Sequence, residues 1–252
     1  MGEVFGEVFK EVFLCPEHNS IPAGVRLGPI VFAAGLASVD PCTGALKGDG
    51  LEAQLRGAFE NMERFLEEAG SGKHEVARVT VFMSDLAERQ LLNVVWSELY
   101  PDPDDRPPHK YVPAVLPPGH LATVQVMAVA STPRRRVIEL ESVHHNDPMS
   151  MAALTANLVT SSRVVTGQRV EDADEHTQLV FGNVAEIMEI AGGDFGGITQ
   201  ITAFVGGPEY RENIERELTR RLGQSGEQPK LHLLEANLGG GGAPRLEILG
   251  LV

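Results

Sequence analysis

Leu51, Leu55, Phe59, Met62 and Leu66 fall on one stripe of an α-helix with polar residues between them, and Gly70 stands where such a helix would stop. The same pattern returns later in the chain. Phe59, Asn61, Met62, Ala69 and Gly70 are answered in order by Phe181, Asn183, Val184, Ala191 and Gly192. Ten residues after each glycine a threonine sits in an apolar run, Val79-Thr80-Val81-Phe82-Met83 and then Ile201-Thr202-Ala203-Phe204-Val205. Asn93 precedes Lys110 by 17 positions, and Asn213 precedes Lys230 by the same 17. A period of about 120 residues is too long for a solenoid, so the chain reads as two copies of one domain.

In the first copy the pattern predicts strands at 10–14, 24–27 and 30–36 and a Pro/Gly turn at 39–44. A helix at 51–69, a strand at 76–83 and a helix at 86–99 follow, the second helix capped by Asp85 and ended by Tyr100-Pro101. Strands at 111–115, 122–130 and 136–141 complete the set. This order gives an α+β domain with two helices on one face of a mixed sheet. The hydrophilic stretch 142–148 reads as a linker, which sets the domains at 1–145 and 149–252. The second copy is shorter: strand 158–165, helix 172–190, strand 198–205, helix 209–222 and strands 231–234 and 245–251, with the turn of 40–44 lost. Gly239-Gly240-Gly241-Gly242 reads as a flexible hairpin. The Glu-Val-Phe repeat of the first 13 residues is either an interaction arm or an element lying on its own domain, and it lacks the basic start of a secretory signal.

Charge and cysteine count narrow the function classes. With 21 basic and 35 acidic residues the chain carries a net charge of −14, which repels nucleic acid at long range. Arg134-Arg135-Arg136, the one basic cluster of note, reads as a solvated strand end. Cys15 and Cys42 lack metal-ligand spacing and fit a reducing cytoplasm, with a single bridge as the alternative. No apolar run approaches the length of a membrane span. Gly70-Ser71-Gly72-Lys73 suggests a phosphate loop but follows a helix rather than a strand, and the eight histidines do not group as metal ligands. No metal and no cofactor are expected.

Ile30-Val31-Phe32-Ala33-Ala34-Gly35, Asp40-Pro41-Cys42-Thr43-Gly44, Gln54 seven before Asn61, Val79-Thr80-Val81-Phe82, Asn93-Val94-Val95-Trp96, Pro108-His109-Lys110 and Val124-Gln125-Val126-Met127-Ala128-Val129-Ala130 together resemble the RidA (YjgF) family of enamine/imine deaminases, also labelled L-PSP endoribonuclease. The second copy is similar but more eroded. The resemblance implies two tandem chorismate-mutase-like domains, assembly as a homo-oligomer (trimer first, dimer second), and ligand clefts where neighbouring domains meet. It also implies an arginine that binds a substrate carboxylate, a glutamate that handles the attacking water, and a strand glycine, here Gly35, that offers backbone contacts. The chain departs from that pattern. Lys110 stands in the arginine position and Gln125, 15 residues on, in that of the glutamate. In the second copy Lys230 again replaces the arginine, Glu247 takes the glutamate position, and Arg163 replaces the glycine. Arg163 either supplies the missing guanidinium or plugs the cleft.

These residues define the candidate site: Glu247, Lys230 and Lys110 as catalytic groups, with Arg163, Gln125, Asn93 and Gly35 for binding. Glutamine orients a water but cannot take its proton, so the second copy holds the better chemistry. The expected activity is hydrolysis of small enamines or imines bearing a carboxylate, with a lysine Schiff base as a variant. A non-catalytic ligand-binding or interaction protein is the alternative. RNA cleavage ranks third because of the acidic charge.

Overall fold

The computed structural model describes residues 9–144, 147–168, 170–208, 210–223, 228–235 and 244–252. The start of the Glu-Val-Phe repeat, His145 of the linker stretch and the four-glycine run lie outside them. The chain divides into two units, Met1–Arg135 and Arg136–Val252.

Unit 1 contains β1 (Phe9–Val12), β2 (Gly24–Leu27), β3 (Ile30–Ala37), α1 (Leu51–Glu68), β4 (Val76–Met83), α2 (Gln90–Leu99), β5 (His109–Pro113) and β6 (Ala122–Val129). Its six strands pair in the order β1-β2-β3-β6-β4-β5, with β4 and β5 parallel. The apolar stripe of α1 is buried as its spacing requires, and the helix ends where Gly70 turns at φ +68° and Ser71 N–H donates to Leu66 O. Beneath α1 and α2 lie Val79, Val81 and Met83 of β4 with Val124, Val126 and Ala128 of β6, and Trp96 packs into the same core. Strand alternation therefore turns Thr80, Gln125 and Lys110 to the opposite face of the sheet. Asp85 accepts from Ala87 N–H in a turn, and the helix expected from residue 86 starts only at Gln90.

Unit 2 contains β7 (Arg136–Ile138), β8 (Ala152–Thr155), β9 (Leu158–Ser161), α3 (Ala173–Ala191), β10 (Ile198–Val205), α4 (Tyr210–Leu222), β11 (Lys230–Glu235) and β12 (Arg245–Leu251). Read from β7, its sheet is β7-β8-β9-β12-β10-β11, strand for strand the order of unit 1, with β10 and β11 again parallel. Asp172 caps α3 through Glu175 N–H, and Gly192 ends it at φ +100°.

Two expectations change. The strand expected at 136–141 as the last of the first domain is the first of the second, since β7 pairs with β8 as β1 pairs with β2. An alternating pattern reports which face a strand buries but not which sheet it joins, so the 142–148 stretch is a connection inside unit 2. Second, Cys15 and Cys42 are joined as a disulfide, with Cα atoms 5.2 Å apart, rather than held as thiols. Among the described residues no helix is long and apolar enough to cross a membrane, and no histidine, cysteine and carboxylate group could hold a metal.

Candidate functional site

The site residues fall on one row across each sheet. In unit 1, Lys110 of β5 pairs with Thr80 of β4, Thr80 with Gln125 of β6, and Gln125 with Ala34 of β3. Directly after Ala34 the register slips by one, and the extra residue is Gly35. Its φ of +104° is one that L side chains avoid, so the backbone, not crowding, selects glycine there.

Unit 2 repeats this row. Glu247 of β12 pairs with Thr202 of β10 as Gln125 does with Thr80. The register Leu249↔Thr160, run two residues on, sets Ser162 across from Glu247. The bridge Val164↔Leu246 then shows the same slip, with Arg163 as the extra residue. Glu247 and Arg163 thus occupy the positions of Gln125 and Gly35. Glu247 is buried, with 3 % exposure, beside a similarly buried Thr202. The Arg163 guanidinium carbon lies 4.7 Å from the centre of the Phe204 ring, a cation–π contact that holds its charge at the row.

Lys230 departs from the equivalence that chain spacing suggested. Thr80 faces Lys110, but Thr202 faces His232, and Lys230 pairs with Gln200 two residues earlier. The equal interval of 17 residues is spent differently in the two copies: α2 runs from Gln90 to Leu99, whereas α4 runs from Tyr210 to Leu222. Counting from a helix residue therefore misses the register of the strand behind it. The residue at the Lys110 position is His232, which sequence reasoning missed. Aligning the copies on their threonine strands and pairing outward from them would have found it. Both His232 and Lys230 are exposed.

Asn93 is not brought to the row. It lies on α2, in the helix layer, where its side-chain amide donates to Gln90 Oε1 at 2.8 Å. The asparagines that matter to the row are those of the duplicated helix pattern. Asn61 Nδ2 donates to Ala37 O and Val39 O at 2.8 and 2.9 Å, and Asn183 Nδ2 donates to Val165 O at 2.6 Å. Ala37 and Val165 each lie two residues past the slipped residue, so each asparagine clasps the outgoing chain to its helix. Gln54 performs a similar task at the start of β6, donating to Gly119 O at 2.9 Å and accepting from Leu121 N–H at 2.8 Å.

Chemically the rows differ at their centres. Across neighbouring strands, roughly 4.8 Å apart, Glu247 and Thr202 are direct neighbours, and His232 stands two strands away at about 10 Å between backbones. Carboxylate and imidazole thus flank the Thr202 hydroxyl across the sheet. Thr202 offers a hydroxyl, Glu247 offers a base, and Arg163, Lys230 and His232 offer cationic or hydrogen-bonding groups around them. In unit 1 the centre is an amide, and only Lys110 is ionisable among Lys110, Thr80, Gln125 and Ala34.

The fold and these rows define a duplicated α+β domain whose polar groups gather at a slipped strand pair. A family model described as endoribonuclease L-PSP matches residues 17–131. A RutC family protein of Saccharolobus solfataricus is 31 % identical over 110 residues, covering 43 % of this chain and 85 % of that protein. A RutC family protein of Pyrococcus abyssi is 38 % identical over 77 residues, and the chain spans 60 % of its length. A 2-iminobutanoate/2-iminopropanoate deaminase of Salmonella typhimurium is 35 % identical over 77 residues, covering 31 % of this chain and 59 % of that enzyme. The chain belongs to the L-PSP endoribonuclease family, the RidA and RutC proteins, as a tandem pair of its domains.

Proposed function

We propose that this chain hydrolyses small carboxylate-bearing imines, or the enamines that tautomerise to them, to the oxo acid and ammonia, with the second copy as the working centre. The observation that carries this reading is Glu247, a buried carboxylate in the row position where the first copy has Gln125. Desolvating a carboxylate costs several kcal/mol, and the second copy keeps one at the place where the first copy has an amide. The similarity to a deaminase of 2-imino acids supports the substrate class.

In the proposed reaction Glu247 takes a proton from water as the water oxygen bonds to the imine carbon, giving a carbinolamine. The imine reacts in its protonated form, so the C=N pair passes to nitrogen in that step. Glu247 then returns the proton to nitrogen as the C–N bond breaks and takes the hydroxyl proton, which passes on to the ammonia and leaves C=O and ammonium. Thr202 orients the water, while Arg163, with Lys230 or His232, holds the substrate carboxylate. Assembly as a trimer, a dimer being the second choice, belongs to the same reading. The test is ammonia release by the full chain from 2-iminobutanoate generated in the cuvette. Release above the uncatalysed rate is expected, and a rate at background for every enzyme concentration would overturn the reading.

The first copy supports a second role. Gln125 cannot accept a proton, so the row of Lys110, Thr80 and Gln125 is fitted to bind a small anion without turning it over.

A further inference from the structure

At the N-terminal end of β4, away from the row of its own sheet, unit 1 has a cleft of about 590 Å³. This is a usual size for a small-ligand site. Its back is rigid. Asp105, with a side chain 5 % exposed, accepts from Arg135 Nη1 at 2.7 Å, and Arg135 itself is buried. Arg135 Nε donates to Val76 O at 2.8 Å, further donors reach Asp105 O and Lys73 O, and its guanidinium lies 5.3 Å from the centre of the Tyr100 ring. On this base stand two exposed groups. His74 hydrogen-bonds through Nδ1 to Asp105 Oδ2. Arg134 places Nε 3.1 Å from Asp105 and donates from Nη2 to Asp102, which leaves Nη1 as the third guanidinium nitrogen. Leu99, Tyr100 and Pro101 supply the apolar wall, and Lys73 is at the rim.

We propose that this cleft binds a small 2-hydroxy carboxylate with an apolar substituent. This inference is independent of the hydrolase reading. Asp105 Oδ2 can only accept, so it takes the hydrogen bond from Nδ1–H, and a His74 ring carrying that one proton presents Nε2 as an acceptor for a hydroxyl proton. Arg134 and Lys73 receive the carboxylate, and the Leu99–Tyr100–Pro101 wall receives the substituent. Beside the His74 ring, Lys73, Arg134 and Arg135 against Asp102 and Asp105 leave one net positive charge, which suits a monoanion. A phosphate dianion is disfavoured by the two aspartates. It is disfavoured too because the loop that resembles a phosphate cradle has spent its donors: Gly72 N–H and Ser71 Oγ–H bond Glu75 Oε2 at 3.0 and 2.8 Å. Exposed ion pairs add little stability, so holding His74 and Arg134 on a buried base is better explained by a ligand than by folding.

The experiment is a titration of the full chain with mandelate, phenylacetate and inorganic phosphate. It is followed by the indole cross-peak of Trp96, the chain's one tryptophan, whose ring is 4.7 Å from that of Tyr100, and by the ring signal of His74. Trp96 also borders His109, next to Lys110, so the His74 ring signal and the two variants below assign the shifts to this cleft. Saturable shifts with mandelate are expected, with phenylacetate, which lacks the hydroxyl, binding about tenfold more weakly. His74→Phe should abolish that preference, and Arg134→Met should weaken both acids about tenfold. Equal affinity for the two acids, tighter binding of phosphate, no saturable shift, or an Arg134→Met protein that binds as the wild type does would each overturn the proposal.

Discussion

Asp40 shows how much a single turn asks of one carboxylate. Oδ1 accepts from Thr43 N–H and Cys42 N–H, each at 3.0 Å, and Oδ2 lies 3.1 Å from Lys47 Nζ. The Thr43 N–H contributes most, then Lys47, then the Cys42 N–H, and together they hold the carboxyl at about 2, below the usual carboxylate range. Because the folded value lies below the unfolded one, this turn contributes stability above roughly pH 4 and loses it as pH falls toward 2. A carbon-detected titration of the Asp40 carboxyl should have its midpoint near 2, and a midpoint near 4 would refute this hydrogen-bonded turn. At the centre of the rows the two copies differ by an amide for a carboxylate. Gln125 and Glu247 share a backbone position, but only Glu247 can exchange a proton with water.

Between helix and sheet, the asparagine clasp makes the most direct prediction. Asn61→Ala removes two hydrogen bonds to partly buried carbonyls, of which Ala37 O keeps the Val39 N–H, and should cost about 1–3 kcal/mol in urea unfolding, whereas a loss under about 0.5 kcal/mol would show that the clasp is idle. The helices bearing these asparagines were legible in the sequence because an amphipathic stripe repeats over several turns. Strands 24–27, 76–83, 198–205 and 245–251 were legible too, being bounded apolar runs. Partnership was not. Residues 136–138 look the same whichever sheet they join. The pair Ala152–Thr155, short and rich in alanine, gives no alternating signal and was missed as a strand. Register was hidden for the same reason, which is why Lys230 stood in for His232: two residues along β11 change the cross-strand partner while keeping the same face. The row positions of Glu247 and Arg163 were legible because the strand itself, rather than a helix before it, set their spacing.

At the scale of the whole molecule, one chain holds two units with the same strand order and one acidic row centre. Under the assembly proposed here, light scattering after size exclusion should give three times the single-chain 27.2 kDa, and a mass of one chain would contradict it. In the function proposed here, the duplication frees one row from hydrolysis and leaves the other to perform it. Its loss should therefore be selective: replacing the centre of one row should abolish turnover, and replacing the centre of the other should not. The decisive measurement is ammonia release from 2-iminobutanoate by the wild type, Glu247→Gln and Gln125→Ala, each checked for an unchanged melting temperature. The account predicts a fall of about 100-fold or more for Glu247→Gln, the scale of a lost general base, and a rate within about twofold of wild type for Gln125→Ala. Wild-type turnover in Glu247→Gln, or its loss in Gln125→Ala alone, would contradict it.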